Sequence, residues 1–119
     1  GYSAVEERVV AMCRRGNVKG GWNVLSLSLP PEHRLPSLAR ACGVMRDEGR
    51  EAEALAIAAI LCKEFPNSAT AHLEYAMTAF HCAGDAETAR SSATKALAAD
   101  SACREVYDFL RFLNQASPP

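Results

Sequence analysis

The residues with reactive side chains are three histidines and five cysteines, at positions 13, 42, 62, 82 and 103 for the latter. His72, His81, Cys82 and Cys103 are the raw material for a metal site. A zinc site needs four converging ligands, usually in short-spaced pairs, and no Cys-x-x-Cys pair is present. The neighbours His81 and Cys82 point about 100° apart on a helix, so they cannot share an ion. The same divergence weakens a Cys–His nucleophile, and no glycine-rich oxyanion loop accompanies one. Arg14-Arg15-Gly16-Asn17-Val18-Lys19-Gly20-Gly21 is basic and glycine-rich but lacks the Gly-Lys-Ser/Thr ending of a phosphate-binding loop. It reads instead as a helix C-terminus whose arginines complement the dipole. The expectation is therefore a non-enzyme with no cofactor and no metal.

The elements that carry these residues follow from composition. Apolar residues make up 49% of the 119, charged residues 23%, and the net charge is -1. That is too apolar for disorder, and too balanced for a dedicated nucleic-acid binder. No apolar run is long enough to span a membrane, so membrane insertion is not expected. The odd cysteine count, unlike a disulfide framework, points to reduced thiols and a cytoplasmic setting. Residues 1–20 lack the pattern of a secretory signal. The start at Gly1-Tyr2 and the ending Ala116-Ser117-Pro118-Pro119, which reads as a tail or linker stub (116–119), suggest an excised piece of a longer protein.

Alanine is the dominant residue, and only Ala4 and Ala11 precede position 35. From there the chain matches itself at an offset of 35. Gly49 and Gly84 each open a segment; Ala54 and Ala89, Ala58 and Ala93, and Leu61 and Ala96 follow in step. Ala54, Ile57, Ala58 and Leu61 have the i, i+3, i+4, i+7 spacing of one buried helical face, as do Ala89, Ala93, Ala96 and Leu97. Upstream of each glycine runs a second stripe: Leu38, Ala41, Cys42, Met45, and then Leu73, Ala76, Met77, Phe80. Asp85 is placed to cap a helix, and Pro66 to stop one. The unit is helix, glycine turn, helix, turn.

With those residues in place, the sequence resembles the tetratricopeptide repeat. The family's positions fall on Leu38, Ala41-Cys42, Met45, Gly49, Ala54, Ala58 and Pro66, then on Leu73, Ala76-Met77, Phe80, Gly84, Ala89, Ala93 and Ser101. The chain departs from the pattern in having no opening tryptophan, in Cys42 and Met77 for the small glycine, and in Ala58 and Ala93 for a large aromatic. The RNA-reading pentatricopeptide repeat fits less well, because its second helix is longer than the Gly49–Pro66 interval and no basic excess is present.

The resemblance implies an all-α fold over 1–115: a TPR-like right-handed superhelix of about three antiparallel helix pairs plus a terminal helix. The parts are a degenerate repeat at 3–34, repeats at 35–68 and 69–102, and a terminal helix at 103–115. In the degenerate repeat Val5, Val9 and Met12 share a stripe and Gly16 takes the turn. Residues 17–29 read two ways. Val18, Trp22, Leu25 and Leu29 suit a helix, while Leu25, Leu27 and Leu29 alternate as in a strand; the helix accounts for more residues. In the last helix, expected to be capped by Ser101, Tyr107, Leu110 and Asn114 are expected to face the preceding pair. Val106, Phe109, Phe112 and Leu113 would then coat the other side, where Phe109 and Phe112 either tuck into the concave groove or the core or are covered by a further repeat, a second copy or a partner helix.

By the same resemblance, the concave face is lined by Arg40, Gly43, Arg46 and Asp47, then Glu74, Tyr75, Thr78 and His81, then Asp108, Phe109 and Phe112. Such a mixed-charge groove with aromatic anchors suits a peptide or an amphipathic helix of a protein partner. Arg40, Arg46, Glu74, Tyr75, Thr78, His81, Asp108, Phe109 and Phe112 are the expected partner-binding residues. The carboxylate clamp of some family members is not matched, since Glu6 and Val10 occupy its first-helix positions. The function implied is an adaptor, scaffold or co-chaperone. The alternatives are a self-assembling or intramolecular docking module, including one fused to an enzyme, and a secretion-type chaperone.

Overall fold

The computed structural model describes residues 1–119 and is all-helical. Seven helices follow in order: α1 (Ser3–Arg14), α2 (Val18–Ser28), α3 (Pro31–Asp47), α4 (Glu51–Glu64), α5 (Ala69–Ala83), α6 (Ala86–Ala99) and α7 (Arg104–Ala116). No helix is long and apolar enough to cross a membrane. Helices α1 and α2, α3 and α4, and α5 and α6 pack as sequential pairs, and α4 also packs on α5. Helices α1, α3, α5 and α7 touch in succession and form one row.

The turns within the three pairs are set by Gly16, Gly49 and Gly84, the only residues with positive φ, at 84°, 73° and 62°. An L side chain in that region costs about 1–2 kcal/mol, so glycine is what lets each pair close so tightly. Asp85 caps α6 through its side chain, which accepts from the Thr88 N–H at 3.0 Å. Ser68 caps α5 and Asn17 caps α2 in the same way.

Within residues 17–29 the span Val18–Ser28 is helical, and Leu27 shows why the strand alternation fails: it is 87% exposed while Leu25 and Leu29 are buried. Gly21, unfavourable in a helix on propensity alone, is a contact residue. A Cβ there would sit 3.3 Å from Cys13 Sγ and 3.4 Å from the Val9 carbonyl oxygen, so α1 and α2 meet backbone to backbone. Pro30 and Pro31 end α2 and start α3, with Pro31 at the first helical position where its missing N–H is harmless. Helix α3 thus begins four residues before the expected boundary at 35, and it accommodates Pro36 inside.

The core has two parts. The larger joins α1–α4 with Ala71, and includes Leu25, Leu38, Met45, Ile57 and Leu61. The smaller joins α5–α7 around Ala76, Ala89, Ala93, Ala96, Val106 and Leu113. The expected facing of α7 holds only in part. Val106, Phe109 and Leu113 are buried against α5 and α6, Leu110 is half-buried against the same core, and Tyr107 and Asn114 are exposed. The reason is area: the Val106–Phe109–Leu113 stripe removes more apolar surface from water than a stripe holding an amide and a phenol. Ser101 does not cap α7 either; its carbonyl accepts the Tyr107 hydroxyl at 2.8 Å, and the helix starts after Cys103. Arg90 of α6 donates to Asn114 Oδ1 at 3.4 Å and to the Ser117 carbonyl, latching the end of α7.

Ala93 is fully buried and Ala98 exposed on the same helix. Ala93→Leu forces extra methylenes into a closed contact and is expected to lower stability by about 1–3 kcal/mol, whereas Ala98→Leu leaves it nearly unchanged. Urea unfolding midpoints at constant m-value check the difference.

Candidate functional site

The row α1–α3–α5–α7 has three seams, each with its own chemistry. At the first, Glu6 Oε2 of α1 accepts from Arg40 Nη2 at 2.6 Å, Arg40 Nε at 3.1 Å and Ser37 Oγ at 3.0 Å, both from α3. The Arg40 hydrogen bonds hold the Glu6 carboxyl below its ordinary pKa, against partial desolvation. Below this polar rim lies a cleft of ≈ 280 Å³ floored by Val9, Val10, Leu25, Ala41 and Val44. At the far end of the seam Glu48 accepts from Arg14 Nη2 at 2.6 Å and Nε at 3.0 Å, and from Arg50 Nε at 3.0 Å. The Arg14 and Arg50 guanidinium groups pull its pKa down to about 2.

The second seam is interior. Arg46 Nη1 of α3 donates to Glu74 Oε2 at 2.9 Å and to Thr78 Oγ1 at 3.1 Å, both on α5. The two charged side chains are each only 15% exposed. Cys42 Sγ lies 3.5 Å from the same Thr78 oxygen and donates to the Ala54 carbonyl at 3.5 Å. Burial pushes the Cys42 thiol up to about 11, so it stays protonated.

The third seam is aromatic. Phe112 of α7 stacks on the His81 ring of α5, with centroids 6.2 Å apart and planes 26° apart. It meets Phe80 edge-on at 5.8 Å and Phe109 at 6.2 Å. Phe112 remains 45% exposed. Asp108 and Arg111 pair one turn apart beside it.

The expected partner-binding residues therefore separate. Arg40, His81, Asp108 and Phe112 are exposed along the row, and Glu74 and Arg46 are half-buried and paired with each other. Thr78 is fully buried, its hydroxyl accepting from Arg46, so it does not line a surface. Phe109 is buried in the smaller core and supports Phe112 from below. Tyr75 packs on the larger core and lines a separate cleft with Cys62, His72 and Lys95. One residue step on α5 turns Tyr75 by about 100° from Glu74, which takes it off the shared face.

Sequence reasoning missed Ser37, Arg14 and Glu48 as members of the row, and it placed Glu6 on the first helix without its pairing to Arg40. A signal for them existed: Glu6 and Arg40, and Arg14 and Glu48, are opposite charges 34 residues apart, close to the period of the chain. The sequence was compared with family models and with curated proteins, and the fold with solved structures; none of the three gave a match.

Two outcomes are expected. Glu74→Gln removes the charge facing half-buried Arg46 and lowers stability by about 1–3 kcal/mol in thermal or urea unfolding. The Glu48 carboxyl titrates near pH 2 instead of its ordinary 4.5, as read by NMR. Because its folded pKa is the lower one, its contribution to stability is full above the unfolded value and is lost as pH falls through the folded one. Arg14→Gln moves that midpoint upward.

Proposed function

We propose that the chain is a non-catalytic protein–protein interaction module of tetratricopeptide-like design, with its helix pairs wound as a right-handed superhelix. In this reading the row of α1, α3, α5 and α7 receives a peptide or amphipathic helix of a protein partner. The observation that carries it is the Phe112–His81 stack. A large ring left nearly half in water, held in a fixed pose by Phe80 and Phe109, is an anchor whose burial by a partner releases apolar surface at little entropic expense. The flanking Asp108–Arg111 pair and the Arg40–Glu6 pair further along supply a polar rim for register. The fold alone does not carry a function, and the reading rests on these residues.

Peptide libraries panned against the immobilised chain test it. The expected binders show apolar residues at i, i+3 or i+4, i+7 spacing, and Phe112→Ala or His81→Ala weakens them at least about tenfold. Binding that survives both substitutions, in variants whose melting curves match the parent, places the partner surface elsewhere and overturns the reading.

A further inference from the structure

Cys62 and His72 lie outside the row, on either side of the α4–α5 turn. Cys62 stands two residues before the end of α4, and His72 is the fourth residue of α5. Cys62 Sγ is 3.7 Å from His72 Nδ1 and 3.6 Å from the Ala71 carbonyl. His72 Nε2 is 2.7 Å from the Pro66 carbonyl oxygen. A carbonyl only accepts, so Nε2 carries the ring proton and Nδ1 turns its lone pair to the thiol. A thiol facing a base that a third group orients is the arrangement of an activated nucleophile.

The surroundings give the pair a chemical preference. A cleft of ≈ 320 Å³ opens over it, lined by Tyr75, Thr88, Ser91, Ser92 and Lys95 as well as the pair itself. Its lining holds four hydroxyl residues and one lysine and no acidic residue, and the Asp85 carboxylate beside it is bound by the Thr88 hydroxyl at 2.7 Å. The titratable groups around the thiol are thus His72 and Tyr75 from α5 and Lys95 from α6. The other cysteines are placed differently. Cys13 and Cys42 are buried. Burial raises the thiols of Cys82 and Cys103 as it does that of Cys62, but on these two a carboxylate adds to it: Glu51 near Cys82, and Glu105, to whose Oε2 Cys103 donates at 3.4 Å. Burial keeps the Cys62 thiol protonated at rest, with Lys95 opposing. Its proton must therefore leave during attack, and His72 is where it goes.

We propose that Cys62 is a modification site, activated by His72, that takes small disulfides bearing carboxylate groups. Cys62 Sγ attacks one sulfur of the reagent while its proton passes to His72 Nδ1. The new S–S bond forms as the old one breaks. The leaving thiolate takes the electron pair and then the proton from the imidazolium. Cys62 ends oxidised as a mixed disulfide, and half of the reagent is reduced to free thiol.

The test uses the full chain and 5,5′-dithiobis(2-nitrobenzoate), a dianionic disulfide, at substoichiometric amounts, with peptide mapping by mass spectrometry. Cys62 is expected to carry the first label. His72→Gln is expected to slow labelling of Cys62 at neutral pH at least about tenfold. It also changes the pH profile to a plain rise with hydroxide, which a merely structural role for His72 would not produce. Lys95→Glu is expected to slow the dianionic reagent several-fold and to speed cationic cystamine, each rate taken relative to a free cysteine peptide. First labelling at Cys82 or Cys103 in the unaltered chain overturns the proposal whatever the variants do. So does a His72→Gln chain with the parent's rate and pH profile.

Discussion

Helix backbones can approach closely only where nothing larger than a methyl or a hydrogen lies between them, and this constraint shapes the whole molecule. Ala54, Ala58, Ala71, Ala76, Ala89, Ala93 and Ala96 are all fully buried, at the contacts of α3–α6, and Gly21 plays the same part between α1 and α2. Alanine fits a helix at no side-chain entropy loss, so the same residue favours the element and permits its packing. Close approach also means that few large side chains are needed. The bulk is concentrated where pairs meet: Leu25, Leu38, Met45, Ile57 and Leu61 in one part of the core, and Val106, Phe109 and Leu113 in the other.

The contact of α3 with α5 also carries polar groups. Arg46, Glu74, Thr78 and Cys42 form a connected set, and no buried side-chain nitrogen or oxygen is left without a partner. A half-buried ion pair adds little net stability, because desolvation offsets most of the attraction. What it does add is register. Arg46 can meet both Glu74 and Thr78 only when α3 and α5 are aligned along their length, whereas an alanine contact tolerates sliding. The paired charges at Glu6–Arg40 and Arg14–Glu48 repeat the device between α1 and α3 in a more exposed setting.

Much of this was legible in the residues. The stripes Leu38–Ala41–Cys42–Met45 and Ala54–Ile57–Ala58–Leu61 are buried as their spacing requires, and Gly16, Gly49 and Gly84 sit at the turns. These are local consequences of helical periodicity. The reading was poorest on α7, where two apolar stripes compete and only the shape of the α5–α6 surface selects one. The resemblance puts Tyr75 and Thr78 on a shared face, and the rotation of α5 about its own axis places one at a different cleft and the other in the interior.

The sequence by itself determined the helices, their turns and the small residues that let them touch, because each follows from spacing within one turn or from the conformational range of a single residue. The tertiary structure alone decided which charges meet across helices, that Phe112 stays half in water against His81, and that Cys62 faces His72 across a turn. Those pairings depend on how far each helix is rotated and slid against its neighbour. That offset is set by the sum of many contacts, and no short stretch of residues contains it.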